Sequence, residues 1–220
     1  DRQGCRLENG RVIMPDGFTG AYKAYAEHGW PGLTVPEQYG GHGLSALVLA
    51  VTSEIFTGAN HSLQMVASLA PGAVRTLLAF GTEDQKDRHI PPLASGDTLA
   101  TMCLTEPGAG SDLSRVRCKA ELDGARWKIT GEKIFISGGD QDMSAHILHL
   151  VLARTSDDGI KGLSLFLCPS ETQAGTRNSV SVARIEEKMG LHASPTCQLV
   201  FDSAEAELIG EEGKGLQAMF

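Results

Sequence analysis

The residues best suited to chemistry lie in a glycine-rich loop that directly follows a predicted strand. The loop spans residues 104–112 and reads Leu-Thr-Glu-Pro-Gly-Ala-Gly-Ser-Asp. Its glycines and proline let backbone N–H groups turn towards one point, and Thr105 and Ser111 add hydroxyl donors, so the loop could hold a phosphate, a pyrophosphate or the polar edge of a flavin ring. The alternative is an ordinary tight turn, which the spacing alone favours. The third glycine of a dinucleotide-binding G-x-G-x-x-G motif is missing, and no helix follows.

A second candidate is the predicted strand over residues 133–137. Alternation of side chains along a strand places Ile134 and Ile136 on one face and Phe135 and Ser137 on the other. The second face would offer an aromatic ring beside a hydroxyl group, which suits the wall of a planar cofactor. The alternative is a strand whose outer face is simply mixed in character.

Other chemistry-bearing residues show no arrangement typical of a site. His146 and His149 lie three apart on a predicted strand, so their side chains point to opposite faces and cannot share a metal ion. Asp140 and Asp142 lack the glycine and glutamate of a calcium loop, and we interpret them as solvated. The five cysteines form no C-x-x-C pair, and no G-x-S-x-G nucleophile elbow is present. These patterns predict no metal site and favour reduced, mostly buried thiols.

Composition narrows the class of protein. The 220 residues carry a net charge of −8 and nowhere concentrate Lys and Arg, which argues against binding to nucleic acid. A hydrophobic content of 41% excludes disorder as the main state, yet no apolar run approaches the roughly 18 residues that span a bilayer. The first residues include no initiator Met and do not resemble a signal peptide, so we expect a piece of a longer, cytoplasmic protein.

The elements that must position these candidates change near residue 98, where the spacing of apolar residues changes. Before residue 98 the apolar residues recur at helical spacing. We expect a first helix from Phe18, capped by Asp16, and a second over residues 45–56 that ends at Gly58. A third helical region should cover residues 61–80 and be broken at Pro71. A fourth helix should begin at a capping box at Thr82 and end at Pro91-Pro92. No strand is expected before residue 90.

After residue 98, apolar and polar residues alternate with a period of two, which is typical of strands. Strands are predicted at residues 100–105, 116–122, 125–130, 132–137, 145–153, 162–168, 180–185 and 198–202. Asp123-Gly124 is a hairpin signal between two of them. Short strands without intervening helices favour a barrel or a sandwich over a parallel sheet, and the pattern turns helical again from residue 210.

The order of several motifs resembles the acyl-CoA dehydrogenase family. Residues 102–112 are similar to its C-x-T-E-P-x-A-G-S-D signature, and residues 131–139 to its G-x-K-x-W-I-T-N-G motif. Residues 188–194 resemble K-M-G-x-R-x-S, and residues 208–215 resemble L-L-G-E-x-G-x-G. Residues 35–41, Val-Pro-Glu-Gln-Tyr-Gly-Gly, also fit. The resemblance covers nearly the whole chain.

The resemblance implies an α+β fold with an N-terminal helical domain, a middle β-barrel domain and a C-terminal four-helix domain. Together with the change of period, it predicts domains at residues 1–98 and 99–206, with residues 207–220 as the start of a C-terminal domain that this chain lacks. In the family, FAD is held between the last two domains.

By the same resemblance, eight residues would bind FAD: Met102, Leu104, Thr105, Gly110, Ser111, Phe135, Ile136 and Ser137. Ser111 would also lie close to the acyl-CoA, and Ser137 would hydrogen-bond near flavin N5. Phe135 stands where the family usually has Trp, and Ser137 where it has Thr. His192 replaces the usual Arg, and residues 192–197 look more like the branch that contains 3-methylmercaptopropionyl-CoA dehydrogenase.

The implied activity is α,β-dehydrogenation of an acyl-CoA thioester, in which a Glu carboxylate removes the Cα proton while Cβ delivers a hydride to flavin N5. In the family that base belongs to the C-terminal domain, so we predict no catalytic residue here and an inactive chain on its own. Implied partners are acyl-CoA, an electron-transfer flavoprotein and further copies in a homodimer or homotetramer. The alternatives are an acyl-CoA oxidase and a non-catalytic flavoprotein of DNA-alkylation responses, against which the net charge argues mildly.

Overall fold

Helices form most of the chain before residue 98. The structure, a computed structural model, describes residues 3–219. The helices are α1 (Phe18–Glu27), α2 (Ala46–Ala67), α3 (Ala70–Phe80) and α4 (Glu83–Ser95). A hairpin of two short strands, β1 (Arg6–Glu8) and β2 (Arg11–Ile13), precedes them, so the expectation of no strand before residue 90 is wrong.

The N-terminal hairpin is held by the two aspartates that the sequence led us to interpret as solvated. Asp140 is buried and accepts from the Arg11 guanidinium at 2.9 Å and from the Val12 N–H at 2.8 Å. Asp142 accepts from the Met14 N–H at 3.0 Å. The interpretation was therefore wrong for Asp140, which is buried, whereas Asp142 is exposed, as expected for a solvated carboxylate, and also binds a backbone N–H of the N-terminal segment.

One helix continues past the residues that were expected to end it, and another breaks close to its expected end. Helix α2 consists of two helical segments that meet at Asn60, whose φ of −157° and ψ of 96° are not helical, so the expected end at Gly58 and the expected new start at His61 both lie within two residues of the break. Helix α4 passes through Pro91 and Pro92, which usually break a helix. Ile90 and Leu93 are fully buried, so packing of this face offsets the missing backbone hydrogen bonds.

Helix starts were predicted with mixed success. The capping box of α4 is confirmed, since the Thr82 hydroxyl accepts from the Gln85 N–H and the Gln85 side chain accepts from the Thr82 N–H. The break near Pro71 falls just before α3, where Pro occupies the first turn and its missing N–H costs no hydrogen bond. Asp16 does not cap α1, because that position is taken by Gly17 in a left-handed conformation.

The second half of the chain forms a seven-stranded sheet. Its strands are β3 (Thr98–Cys103), β4 (Lys119–Asp123), β5 (Arg126–Ser137), β6 (His146–Arg154), β7 (Leu163–Pro169), β8 (Val180–Ile185) and β9 (Thr196–Ile209). Two predicted strands, at residues 125–130 and 132–137, merge into β5. A short helix, α5 (Gly215–Met219), follows.

The sheet is mixed rather than purely antiparallel. β3 and β4 pair with β6 in parallel, whereas β4–β5, β5–β9, β9–β7, β7–β6 and β8–β9 are antiparallel. The pairings form a closed circuit: β6 pairs with β4, β4 with β5, β5 with β9, β9 with β7, and β7 again with β6. The expected hairpin is confirmed, because Asp123 pairs with Arg126 across Gly124, whose φ is +62°.

The helical and sheet regions share one core. Leu77 of α3 and Leu93 of α4 are fully buried, and both helices contact β3. The Gln85 amide donates to the Leu208 carbonyl at 2.9 Å, and Arg88 pairs with Glu207 at 2.7 Å, so α4 is tied to β9.

Between residues 3 and 219 no single helix is long and apolar enough to cross a membrane. Helices α2 and α3 together, with a bend of 43° between them, have sufficient length and apolar composition.

Candidate functional site

The structure brings the two sequence-predicted segments together. Strand β3 leads directly into the loop over residues 104–112, and β5 runs beside it. The Ile134 N–H donates to the Thr105 carbonyl at 2.8 Å, and the Lys133 ammonium donates to the Leu104 carbonyl at 2.9 Å. The loop is therefore fixed against the strand that carries Phe135 and Ser137.

A buried ion pair, which the sequence analysis missed, sets the shape of the loop. The Lys133 side chain has no exposed surface, and its Nζ lies 2.9 Å from Oε1 of Glu106. The Glu106 carboxylate also accepts from the N–H groups of Arg117 and Cys118, at 2.7 and 3.0 Å. Glu106 thus joins the start of the loop to the segment that follows it. The available signal was a lysine directly beside the apolar run Ile134–Ile136.

The turn of the loop is closed by its own backbone. Glu106 and Ala109 exchange two N–H···O hydrogen bonds, of 2.9 and 3.1 Å, across Pro107 and Gly108. Neither Gly108 nor Gly110 has a positive φ, and a Cβ atom added at either position would meet nothing within 4 Å. The glycines are therefore not required by backbone conformation or by neighbouring protein atoms. They leave open space on the outer side of the loop.

Strand β5 contains a bulge at an exposed aromatic residue. The register with β9 shifts between Lys133 and Ile136, and Phe135 has a φ of +59°, which is rare for a bulky residue. The Phe135 side chain is 58% exposed, whereas Ile134 and Ile136 are buried. The predicted division between faces is confirmed for these three residues. Strained backbone of this kind clusters at functional sites.

Three hydroxyl groups on the loop and at the end of β5 have no hydrogen-bond partner within residues 3–219. They belong to Thr105 and Ser111 of the loop and to Ser137 at the end of β5; Ser111 is exposed and the other two are half-buried. Met102, on β3, turns an exposed side chain outwards between the buried Thr101 and Cys103. An open face with apolar side chains, free hydroxyls and side-chain-free glycines fits a large planar group with polar edges, such as a flavin.

The thiols and the buried histidine near this face are not reactive groups. Burial raises the pKa of Cys103 to about 12 and that of Cys118 to about 11, so both remain thiols at neutral pH. His149 is buried, its Nδ1 lies 2.7 Å from the Thr101 hydroxyl, and burial lowers its pKa to about 4. His146, three residues earlier, is half-exposed, which confirms that the two imidazoles lie on opposite faces. In residues 3–219 no group of three His, Cys, Asp or Glu could hold a metal ion.

A separate apolar cavity of about 490 Å³ lies between α1 and α2. Tyr25, Phe56, Leu63 and Ala67 contribute to its walls. Val66, which precedes Ala67 on α2 but does not line the cavity, packs close to Gly138 immediately after β5. The cavity is thus a neighbour of the loop site rather than part of it.

Two domain families match the chain. Residues 8–97 match the acyl-CoA dehydrogenase N-terminal domain, and residues 101–204 match the acyl-CoA dehydrogenase middle domain. The chain therefore belongs to the acyl-CoA dehydrogenase family of flavoprotein oxidoreductases, as the motifs suggested.

Individual relatives place it more closely. The chain is 43% identical to 3-methylmercaptopropionyl-CoA dehydrogenase of Ruegeria pomeroyi, over 100% of this chain and 39% of that protein. It resembles acyl-CoA dehydrogenase complexed with FAD from Bacillus anthracis with a TM-score of 0.79 and 30% identity, over 91% of this chain and 33% of that one. It also resembles a chain in the electron transferring flavoprotein structure of Acidaminococcus fermentans, with a TM-score of 0.81 and 30% identity, over 90% of this chain and 51% of that one. This chain thus spans about two fifths of the Ruegeria protein.

Proposed function

We propose that this chain is the flavin-holding part of an FAD-dependent acyl-CoA dehydrogenase that introduces a double bond between Cα and Cβ of an acyl-CoA thioester. The observation that carries the proposal is the open face between the loop and β5. Phe135 and three unpartnered hydroxyl groups line this face, and the buried Lys133–Glu106 pair holds its two sides together. The relative from Bacillus anthracis, complexed with FAD, supports the choice of cofactor.

Each residue of the face has a role in this proposal. Met102, Leu104, Thr105, Gly110 and Ser111 would follow the flavin and its pyrophosphate, with Ser111 also facing the acyl-CoA. Phe135 and Ile136 would pack beside the ring, and the Ser137 hydroxyl would donate to its reactive edge. The chemistry supplied by bound FAD is acceptance of a hydride from Cβ. The base for the Cα proton is proposed to lie outside this chain, so that the chain alone is inactive.

The remaining features of the proposal concern the larger protein. The circuit of strand pairings supports a barrel for residues 99–206, and the end of α4 followed by β3 supports the boundary near residue 98. The apolar cavity beside α2 offers suitable surroundings for a hydrocarbon chain. We also propose a cytoplasmic homodimer or homotetramer that passes electrons to an electron-transfer flavoprotein.

The test is a Ser137→Ala variant of the full-length protein. Loss of a hydrogen bond to a group that gains charge should raise the barrier by about 1–3 kcal/mol, so anaerobic flavin reduction by an acyl-CoA should slow by roughly 5- to 150-fold, with little change in substrate affinity. Stopped-flow spectroscopy measures both. Ser179→Ala, at an exposed site, is the control. An unchanged reduction rate would remove Ser137 from the mechanism, and rapid reoxidation by O₂ would indicate the oxidase.

A further inference from the structure

A polar cleft of about 240 Å³ lies away from the flavin face. It is bounded by Arg11 of β2, by the segment that leads into β6, and by the loop between β7 and β8. None of the residues assigned to the flavin lines it. Its walls include the guanidinium groups of Arg11 and Arg177 and the hydroxyl group of Ser170.

The two arginines differ in how their charges are balanced. Arg11 donates to both oxygens of Asp140, at 2.9 and 3.2 Å, and to the Gln141 carbonyl at 3.4 Å. The guanidinium of Arg177 has no hydrogen bond or ion pair with any residue in the range 3–219. Arg177 is exposed; partial burial and then the nearby charge of Arg11 lower its pKa, while Asp140 raises it. In a chain of net charge −8, this arginine faces another cation, and the carboxylate that acts on it, Asp140, is already bonded to Arg11.

The other groups on the walls leave donors available. The Ser170 oxygen accepts from the Ile147 N–H at 2.9 Å, so its own O–H proton remains free to donate. Glu171 is the carboxylate that lines the cleft, and it is engaged by Nδ1 of His146 at 3.1 Å. The cationic end of the cleft therefore presents N–H and O–H donors, while the carboxylates beside it are already paired.

We propose that this cleft binds a phosphate group, either inorganic phosphate or a small phosphomonoester, with Arg177 as its principal ligand. The planar guanidinium fork can donate two parallel hydrogen bonds to phosphate oxygens. Arg11 and Ser170 supply donors to the remaining oxygens, which favours phosphate over a carboxylate that offers only two. The cavity has room for the phosphate and a short organic group. The site is independent of the flavin face and of the reaction proposed there.

The experiment is calorimetric titration of the full-length protein with inorganic phosphate and, separately, with glycerol 3-phosphate at constant ionic strength. Saturable binding is expected, and the tighter ligand identifies the source of the phosphate group. Arg177→Met should weaken binding tenfold or more, and Arg177→Lys should weaken it less. Arg184→Met, which removes an exposed arginine paired with Glu186, should leave the affinity unchanged.

Three results would overturn the proposal. They are the absence of saturable binding, equal binding of acetate, and an affinity of Arg177→Met within twofold of the parent. Far-UV circular dichroism verifies that each variant is folded, so that lost binding reports on the arginine. Flavin content, measured in the same samples, should not change, because none of the proposed flavin residues lines the cleft.

Discussion

Lys133 places an ammonium group inside the sheet region, where Glu106 is its ion-pair partner. Both side chains are almost completely removed from solvent. Two opposite charges buried together add little net stability, but removal of one leaves the other without a partner, at a cost of about 3–5 kcal/mol. The pair is therefore best understood as a device that specifies one position of the loop relative to β5.

A double-mutant cycle should reveal this dependence. Lys133→Met should destabilise the protein by about 3–5 kcal/mol, because Glu106 stays buried without its cation. Adding Glu106→Gln should restore part of that loss, since the amide oxygen can still accept from a backbone N–H. Urea unfolding of the parent, both single variants and the double variant measures the coupling. Strictly additive losses would show that the pair is not coupled.

His149 should make stability depend on pH. The unfolded chain binds a proton near pH 6.5, but burial lowers the folded pKa to about 4, with Asp140 raising it and Arg177 lowering it further. Between these values the unfolded state holds more protons, so the free energy of unfolding falls as the pH falls, by up to about 3 kcal/mol. His149→Gln should flatten this part of the profile, and the exposed His61→Gln should not. Equal slopes in both variants would contradict the assignment.

Sequence patterns identified the exposed part of the site better than its buried supports. Thr105, Ser111 and Ser137 were singled out because hydroxyls beside glycines or aromatic rings have an evident use. Lys133 and Glu106 escaped notice because they are far apart in sequence, and their partnership depends on how β5 lies along the loop. Pairing across such a distance is a property of the sheet register, which local periodicity does not contain.

Gln85 connects two elements through one side chain. Its oxygen accepts from the Thr82 N–H in the capping box, while its amide donates to the Leu208 carbonyl of β9. The first bond starts α4, and the second attaches the helix to the sheet. A substitution that preserves the first and removes the second can therefore separate capping from domain attachment.

Gln85→Glu is that substitution. The carboxylate can still accept from the Thr82 N–H, but it cannot donate to the Leu208 carbonyl and would instead place a charge beside it. We expect a loss of about 1–3 kcal/mol in the free energy of unfolding. Thr82→Ser, which keeps the capping hydroxyl, should cost much less. Chemical denaturation measures the free energy of unfolding of both variants. Equal losses would show that the hydrogen bond to β9 does not contribute to stability.

Helix boundaries were hard to predict because tertiary contacts override local preference. The break in α2 at Asn60 was predicted to within two residues from Gly58, which costs a helix about 1 kcal/mol relative to alanine. Pro91 and Pro92 cost more, but Ile90 and Leu93 on the same helix are fully buried. The capping box at Thr82 was predictable because its hydrogen bonds connect residues only three apart. The strands were predictable as segments, whereas their parallel partners were not.

On the scale of the whole molecule, the first half of α2 carries an exposed apolar surface. Leu47, Val51 and Ile55 follow one another at helical spacing and are more than half exposed. Exposed apolar patches of this kind drive association. The 220-residue chain made alone should therefore self-associate.

Two substitutions on this surface test the expectation. Val51→Glu with Ile55→Glu should shift the chain towards monomer without altering its circular dichroism, because neither side chain contributes to the buried core. Sedimentation velocity gives the distribution of species. Leu122→Glu, on an exposed strand position elsewhere, controls for added charge. Association that persists in the double variant would place the contact on another surface.

The position of β9 in the chain has a consequence for biosynthesis. This strand pairs with β5, β7 and β8, and within residues 3–219 it is the last strand in chain order. Until β9 emerges from the ribosome, β5, β7 and β8 lack this partner and keep an open edge, and open edges invite pairing with other chains. The interval before β9 emerges is therefore when this protein most needs a chaperone, and translational pausing within that interval should lower its soluble yield.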